Sequence, residues 1–336
     1  MSGKAMKGAD EGSRESQAFA VYSSDDRSLR FYNRAEVLLA GGRFEGRAAD
    51  AVFSAKAFDG RLWDVYAGDV EDVEVVDEGV APESTREWFE GFDRMTSCDL
   101  AKLDTSRVTS MRRMFDGCSS LESLDLSAFD TARVEDMAGM FCGCASVEAL
   151  ELSSFATGNV VSMAFMFCGC KSLKTLYLCG FDVRQVDDMT GVFKDCASLE
   201  VLDLSGLYAE SLVDAREMFK WCGSVKELDL WGFDVSEVQI LDGMFWGCSS
   251  LESIVLPRSD TSSARRMFAM FKDCSSLLEL DLSGFETGNV EDMSWMFAGC
   301  RSLRSLDLSG FDFREGVKLG AFALFCEAAG VGACWR

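Results

Sequence analysis

The order of apolar and polar positions repeats along most of the chain. The pair Met-Phe occurs at Met114-Phe115, Met140-Phe141, Met166-Phe167, Met218-Phe219, Met244-Phe245, Met270-Phe271 and Met296-Phe297. Val192-Phe193 fills the vacant slot, and Trp88-Phe89 stands one step earlier. The step is 26 residues throughout, which sets nine units over residues 86–319. Two periods coexist in each unit. Met137, Met140, Phe141 and Cys144 are spaced i, i+3, i+4, i+7, which predicts a short helix with one apolar face. Val147, Leu150 and Leu152 end in alternation, which predicts a short strand with one buried face.

A helix and a strand repeated at fixed length predict an α/β fold. The expectation is a right-handed, curved solenoid of nine 26-residue helix-strand units sharing one parallel sheet. Leu-x-x-Leu-x-Leu is a leucine-rich-repeat strand signature. The serine recurring from Ser120 to Ser302 reads as a turn hydroxyl. Phe129, Phe155, Phe181, Phe233, Phe285 and Phe311 are expected to form an aromatic spine. Residues 1–16 read as a disordered leader, and residues 17–85 as an N-terminal β-rich cap ending in an entry strand through Val70, Val73 and Val75. Residues 320–336 read as a C-terminal helical cap, because Leu319, Phe322, Ala323 and Cys326 continue the apolar register.

The segment Met111-Arg112-Arg113-Met114-Phe115-Asp116-Gly117-Cys118-Ser119-Ser120-Leu121-Glu122-Ser123-Leu124-Asp125-Leu126-Ser127-Ala128-Phe129-Asp130-Thr131 resembles the BspA-like leucine-rich repeat family of bacterial surface proteins. The entry stretches Ala18-Phe19-Ala20-Val21-Tyr22 and Pro82-Glu83-Ser84-Thr85-Arg86-Glu87-Trp88-Phe89 look like that family's lead-in. The resemblance implies a non-enzymatic adhesion module at the cell surface or secreted, binding a host or neighbouring-cell surface or matrix protein. The alternative is an intracellular scaffold or effector with a cytosolic partner. Residues 1–16 lack the apolar run of a secretory signal, so either the protein stays in the cytoplasm or its export signal lies elsewhere.

Charge and composition narrow the chemistry. The chain carries 33 Lys+Arg against 56 Asp+Glu, a formal charge of −23, with no His and 14 Cys. The missing histidine excludes a Ser-His-Asp triad and His-ligated metal. An acidic chain without a basic cluster lacks the footprint of nucleic-acid binding. No apolar run approaches a membrane span, so no membrane insertion is expected. No cofactor motif occurs, and no cofactor or metal is expected.

Three residue classes remain. The cysteine column Cys118, Cys144, Cys170, Cys196, Cys222, Cys248, Cys274 and Cys300 falls on the apolar face and reads as buried thiols. Cys142 and Cys168, one unit apart in an outward slot, would not converge with that column on a metal, and an oxidisable pair stays open. The outward strand position carries Asp125, Glu151, Tyr177, Asp203, Asp229, Asp281 and Asp307. This acidic stripe reads either as a binding face for cations or basic ligands or as a solvated face. Trp231 replaces a serine beside it, and outward Trp and Tyr are favoured interface anchors. These eight residues are the candidate binding site. Trp221 and Trp246 depart from the repeat on a different surface.

Overall fold

The computed structural model describes residues 18–34, 40–55, 58, 62–256 and 261–324. The expected leader, most of the expected C-terminal cap, Cys326 and Cys334 lie outside these residues. The chain winds as a β-solenoid of about 9 turns. The helix half of each expected unit is absent. The 3-10 turn Asp64–Tyr66 is the longest helical element among the described residues.

The reason lies in the backbone of residues 111–118. Met114, Asp116 and Cys118 donate their N–H groups to the carbonyls of Met111, Arg113 and Phe115, three residues back. The intervening N–H groups of Met111, Arg113, Phe115 and Gly117 reach across to Asp136, Ala138, Met140 and Cys142 of the next rung, at 2.7–2.9 Å. Two positions per rung sit in the left-handed region: Arg113 (φ 53°) and Gly117 (φ 79°) here, Phe165 (59°) and Gly169 (74°) two rungs later. No α-helix accommodates such residues. Turns of four residues place apolar side chains at the same i, i+3, i+4, i+7 spacing as a helix, so the hydrophobic pattern is identical. What differs is where alternate backbone donors go. Glycine suits the second position for another reason. A Cβ on Gly143 (φ +71°) would lie 3.2 Å from the Gly117 Cα of the rung below.

The strand side is also less regular than expected. Strands β1 (Ala18–Ser23), β2 (Ser28–Asn33), β5 (Ala51–Ser54), β6 (Asp72–Val75) and β7 (Ser97–Asp99) form one sheet in the order β5-β1-β2-β6-β7. β1 is antiparallel to β2 and β5, and β2, β6 and β7 run parallel into the solenoid. Strands β3 (Gly42–Phe44) and β4 (Arg47–Ala49) form a separate hairpin. Along the repeats the three-residue strands occur as parallel pairs. They are β8 (Thr175–Tyr177) with β9 (Val201–Asp203), β10 (Glu227–Asp229) with β11 (Ser253–Val255), and β12 (Glu279–Asp281) with β13 (Ser305–Asp307). The unbroken ladder lies elsewhere. Single parallel bridges link Ser110, Asp136, Ser162, Asp188, Asp214, Ile240, Arg266, Asp292 and Lys318 in succession.

The core runs the length of the solenoid between these two sides. Its aromatic spine is the Met-Phe column, not the column of Phe129. Phe115, Phe141, Phe167, Phe193, Phe219, Phe245, Phe271 and Phe297 stack with centroids 5.1–5.8 Å apart. In the Phe129 column the rings of Phe155 and Phe181 stack, but Leu207 interrupts the series. Below the spine, Phe31 stacks on Trp88 and Trp63 donates its indole N–H to the Trp88 carbonyl at 2.8 Å. At the other end Phe322 meets Phe297 edge-on, from a turn that continues the rung geometry through Leu324. No helix caps the stack within the described residues.

Two buried polar columns tie rung to rung. Each of the eight column cysteines donates its thiol to the Phe carbonyl 29 residues earlier, as Cys144 does to Phe115 (3.3 Å) and Cys222 to Phe193 (3.0 Å). Burial raises the thiols of Cys118, Cys170, Cys196, Cys222 and Cys274, and those of Cys144 and Cys248 up to about 12, so these seven stay protonated and can donate. Thr105, Thr131 and Thr157 are buried too. Thr131 Oγ1 accepts from the Ala156 N–H (2.8 Å) and donates to the Ala156 carbonyl (3.1 Å). The serine column works similarly: Ser146 and Ser224 donate to carbonyls of the preceding rung at 2.7 Å, rather than within their own turn.

Candidate functional site

The candidate stripe lies on the strand side. Asp125, Glu151, Tyr177, Asp229, Trp231, Asp281 and Asp307 are exposed, and Asp203 is half-buried. Register brings some of them together: Tyr177 lies opposite Asp203, and Asp281 opposite Asp307. Asp229 faces Val255. The rungs of Tyr177 and Trp231 are two steps apart, about 10 Å at in-register spacing.

Most of the acids have a local task. Asp125 accepts a hydrogen bond from the Ser127 N–H at 2.9 Å, and Glu151 from Ser153 at 2.9 Å. Asp203, Asp229, Asp281 and Asp307 do the same for the residue two positions on, at 2.8–2.9 Å. Each carboxylate thereby closes the turn that ends its strand. The same bonds hold Asp125, Glu151 and Asp203 below the usual carboxylate range. These acids remain negatively charged to low pH, and one oxygen of each is engaged.

The stripe has an apolar interruption. Tyr177 (58% exposed), Val201 (45%), Trp231 (65%) and Val255 (50%) occupy the middle rungs, with acids above and below. Beside Val255 opens a shallow cleft of about 580 Å³, lined by Ile254, Leu256, Asp281, Ser283 and Phe285. Apolar ground rimmed by charge is the usual anatomy of a protein interface.

The opposite, turn-built side holds an arrangement that single-column reading missed. Lys220 Nζ lies 4.7 Å from the Trp221 ring and 4.1 Å from the Trp246 ring. Lys272 Nζ lies 4.1 Å from Trp246 and 5.4 Å from Trp295. Lys194 reaches Trp221 at 5.7 Å and Glu217 at 2.6 Å. Lysines and tryptophans thus interleave over five consecutive rungs, from Lys194 to Trp295, each contact worth about 0.5–2 kcal/mol. Lys220 is buried by this stacking. The sequence shows only the column Lys194, Lys220, Trp246 and Lys272 at the 26-residue step; Trp221 and Trp295 meet it from the two left-handed turn positions. A second cleft, about 340 Å³, lies here among Arg216, Glu217, Asp242, Trp246, Arg266 and Phe268.

Among the described residues no group of three or more Cys, Asp or Glu side chains is placed to hold a metal ion. No helix among them is long and apolar enough to cross a membrane.

Several solved leucine-rich repeat structures are similar to this chain. One from Eubacterium ventriosum is 16% identical, with a TM-score of 0.43, over 91% of this chain and 82% of its own. One from Leptospira interrogans is 12% identical (TM-score 0.30), over 73% of this chain and 68% of its own. One from T. pallidum is 16% identical (TM-score 0.31), over 80% and 91%. No curated protein matches the chain significantly. A family described as "Mycoplasma protein of unknown function, DUF285" matches residues 83–206 and 213–327. Those two stretches contain the repeated turns and take up well over half of the sequence, so the chain belongs to the DUF285 family.

Proposed function

We propose that this protein is a non-enzymatic protein-binding module that engages its partner through the strand face. The observation that carries the reading is the exposed Tyr177, Val201, Trp231 and Val255 patch inside the acidic stripe. Nothing on that face demands outward aromatic side chains for folding, since serine occupies the position of Trp231 in other rungs. Large aromatic anchors surrounded by polar positions concentrate binding energy. The acids add a preference for a partner with a basic surface. A flat ladder of equivalent, turn-closing carboxylates does not supply the two distinct environments that acid-base catalysis uses.

The BspA-like resemblance of the repeat supports a surface or secreted adhesin with a host or neighbouring-cell surface or matrix protein as ligand. A second reading, a scaffold for a cytosolic partner, is favoured by the eight buried S–H donors, which suit a reducing compartment. Protease treatment of intact cells separates the two. Shaving of the repeats supports the surface reading, and protection until lysis supports the cytosolic one. The face itself is tested with a Tyr177→Ala/Trp231→Ala double variant against a panel of matrix and cell-surface proteins. The expected result is at least a tenfold loss of affinity with an unchanged melting temperature. Full affinity in the variant rejects the strand face as the site.

A further inference from the structure

Cys142 and Cys168 occupy equivalent positions on consecutive rungs of the turn side. Their rungs are locked in register: Gly117 N–H donates to the Cys142 carbonyl and Gly143 N–H to the Cys168 carbonyl, both at 2.7 Å. Rungs paired in this way stand about 4.8 Å apart, inside the Cα separation of about 4.4–6.8 Å that a disulfide spans. Both side chains are half-exposed. The neighbouring cysteines Cys144 and Cys170 are turned away, buried with their thiols on the Phe115 and Phe141 carbonyls.

The slot's other occupants complete the picture. Read up the solenoid it holds Asp116, Cys142, Cys168 and Lys194. Cys142 thus stands between the Asp116 carboxylate and Cys168, and Cys168 between Cys142 and the Lys194 ammonium. The neighbouring Cys142 side chain, helped by the Lys194 charge, holds the Cys168 thiol below its ordinary value, while Cys142 itself is pushed up. The buried column thiols are all raised by desolvation where a shift is resolved. The order of charges along the slot, a carboxylate on the Cys142 side and an ammonium on the Cys168 side, matches the two roles of a reactive dithiol: a thiolate that attacks and a protonated neighbour that resolves.

We propose that Cys142 and Cys168 form a modification site for hydrogen peroxide, closing to a disulfide that staples two consecutive rungs. The Cys168 thiolate attacks one peroxide oxygen. The O–O bond breaks, a S–O bond forms, and the departing hydroxide takes up a proton as water. The sulfur is oxidised by two electrons to the sulfenic acid. The Cys142 sulfur then attacks the Cys168 sulfur. The S–O bond breaks, and the hydroxyl leaves with the Cys142 proton as a second water. Two thiols and one peroxide give one disulfide and two waters.

The test uses the full chain, reduced and freed of reductant, with one equivalent of hydrogen peroxide. Thiols still free are alkylated in denaturant, the sample is then reduced, and newly released thiols take a second label read by peptide mass spectrometry. The expected result is loss of two of the 14 thiols, with the second label on Cys142 and Cys168 and the protein still monomeric under non-reducing conditions. Cys142→Ser is expected to stop at a dimedone-reactive sulfenic acid on Cys168. Cys168→Ser is expected to lose no thiol pair. Cys179→Ser, which removes an exposed cysteine, leaves the reaction unchanged. The wild-type mapping stands alone if a variant fails to fold. Label appearing first on Cys179 or on the buried column, or both thiols surviving a tenfold excess of peroxide, overturns the proposal.

Discussion

The two long sides of this solenoid are built from the same 26-residue unit and solve different problems. On the turn side every second backbone N–H crosses to the next rung, single bridges run unbroken from Ser110 to Lys318, and the stacked Phe column lies beneath. On the strand side hydrogen-bonded strands come in pairs, and carboxylates close their own turns within one rung. One side carries the mechanical continuity of the stack. The other is left free to vary, and there Tyr177, Val201, Trp231 and Val255 depart from the repeat. In a one-dimensional array, stability sits in neighbour contacts, so binding residues are best placed where those contacts are fewest.

The largest test of this division removes a ring from the middle of the spine. Phe193→Ala leaves a gap between Phe167 and Phe219 and is expected to cost about 3–5 kcal/mol, read as a lower midpoint in urea unfolding. Trp231→Ala on the strand side is expected to stay within about 0.5 kcal/mol of wild type. Similar losses for both would erase the distinction.

A smaller effect is expected at the buried threonine column. Thr131→Val keeps the shape but strands the Ala156 N–H and carbonyl, at about 1–3 kcal/mol. Val183 and Val235 occupy the same column in later rungs, so the side chain fits and the deficit measured by urea unfolding isolates the hydrogen bonds.

The smallest concerns the loop carboxylates. Asp182 is lowered to about 2 by the Arg184 side chain and backbone N–H, from an ordinary value of 3.8. A carboxylate depressed by folding contributes stability above pH 3.8 that is lost as pH falls toward about 2. The pair is largely exposed, so the contribution is below about 0.5 kcal/mol. Asp182→Ala is expected to lower the melting temperature slightly at pH 7 and not at pH 2. An equal shift at both values would assign the effect to packing instead.

Parts of this architecture were legible because they depend on what recurs at which position. The 26-residue step and the buried column of Met114, Phe115 and Cys118 follow from composition at fixed spacing. The outward places of Asp125, Tyr177 and Trp231 follow from alternation. The helix did not survive, because apolar spacing records which residues are buried and is silent on which carbonyl accepts each N–H. The Arg113 and Phe165 conformations gave no warning either, since non-glycine residues at φ near +55° are rare enough not to be expected. The lysine-tryptophan ladder was hidden for a related reason. Lys194, Lys220, Trp246 and Lys272 share one column at the 26-residue step, but Trp221 and Trp295 stand in two other columns, and spacing does not record that their rings meet the lysines.

The sequence by itself determined that this chain stacks. Its repeat length is constant, its apolar positions are periodic, and no single unit can bury its own apolar face. The tertiary structure decided how it stacks. Alternate N–H groups can be satisfied either four residues back or one rung up, and only the presence of the neighbouring rung makes the second choice available. The close passage of Gly143 over Gly117, the thiol-to-carbonyl ladder and the alignment of Cys142 and Cys168 on consecutive rungs all follow from that choice.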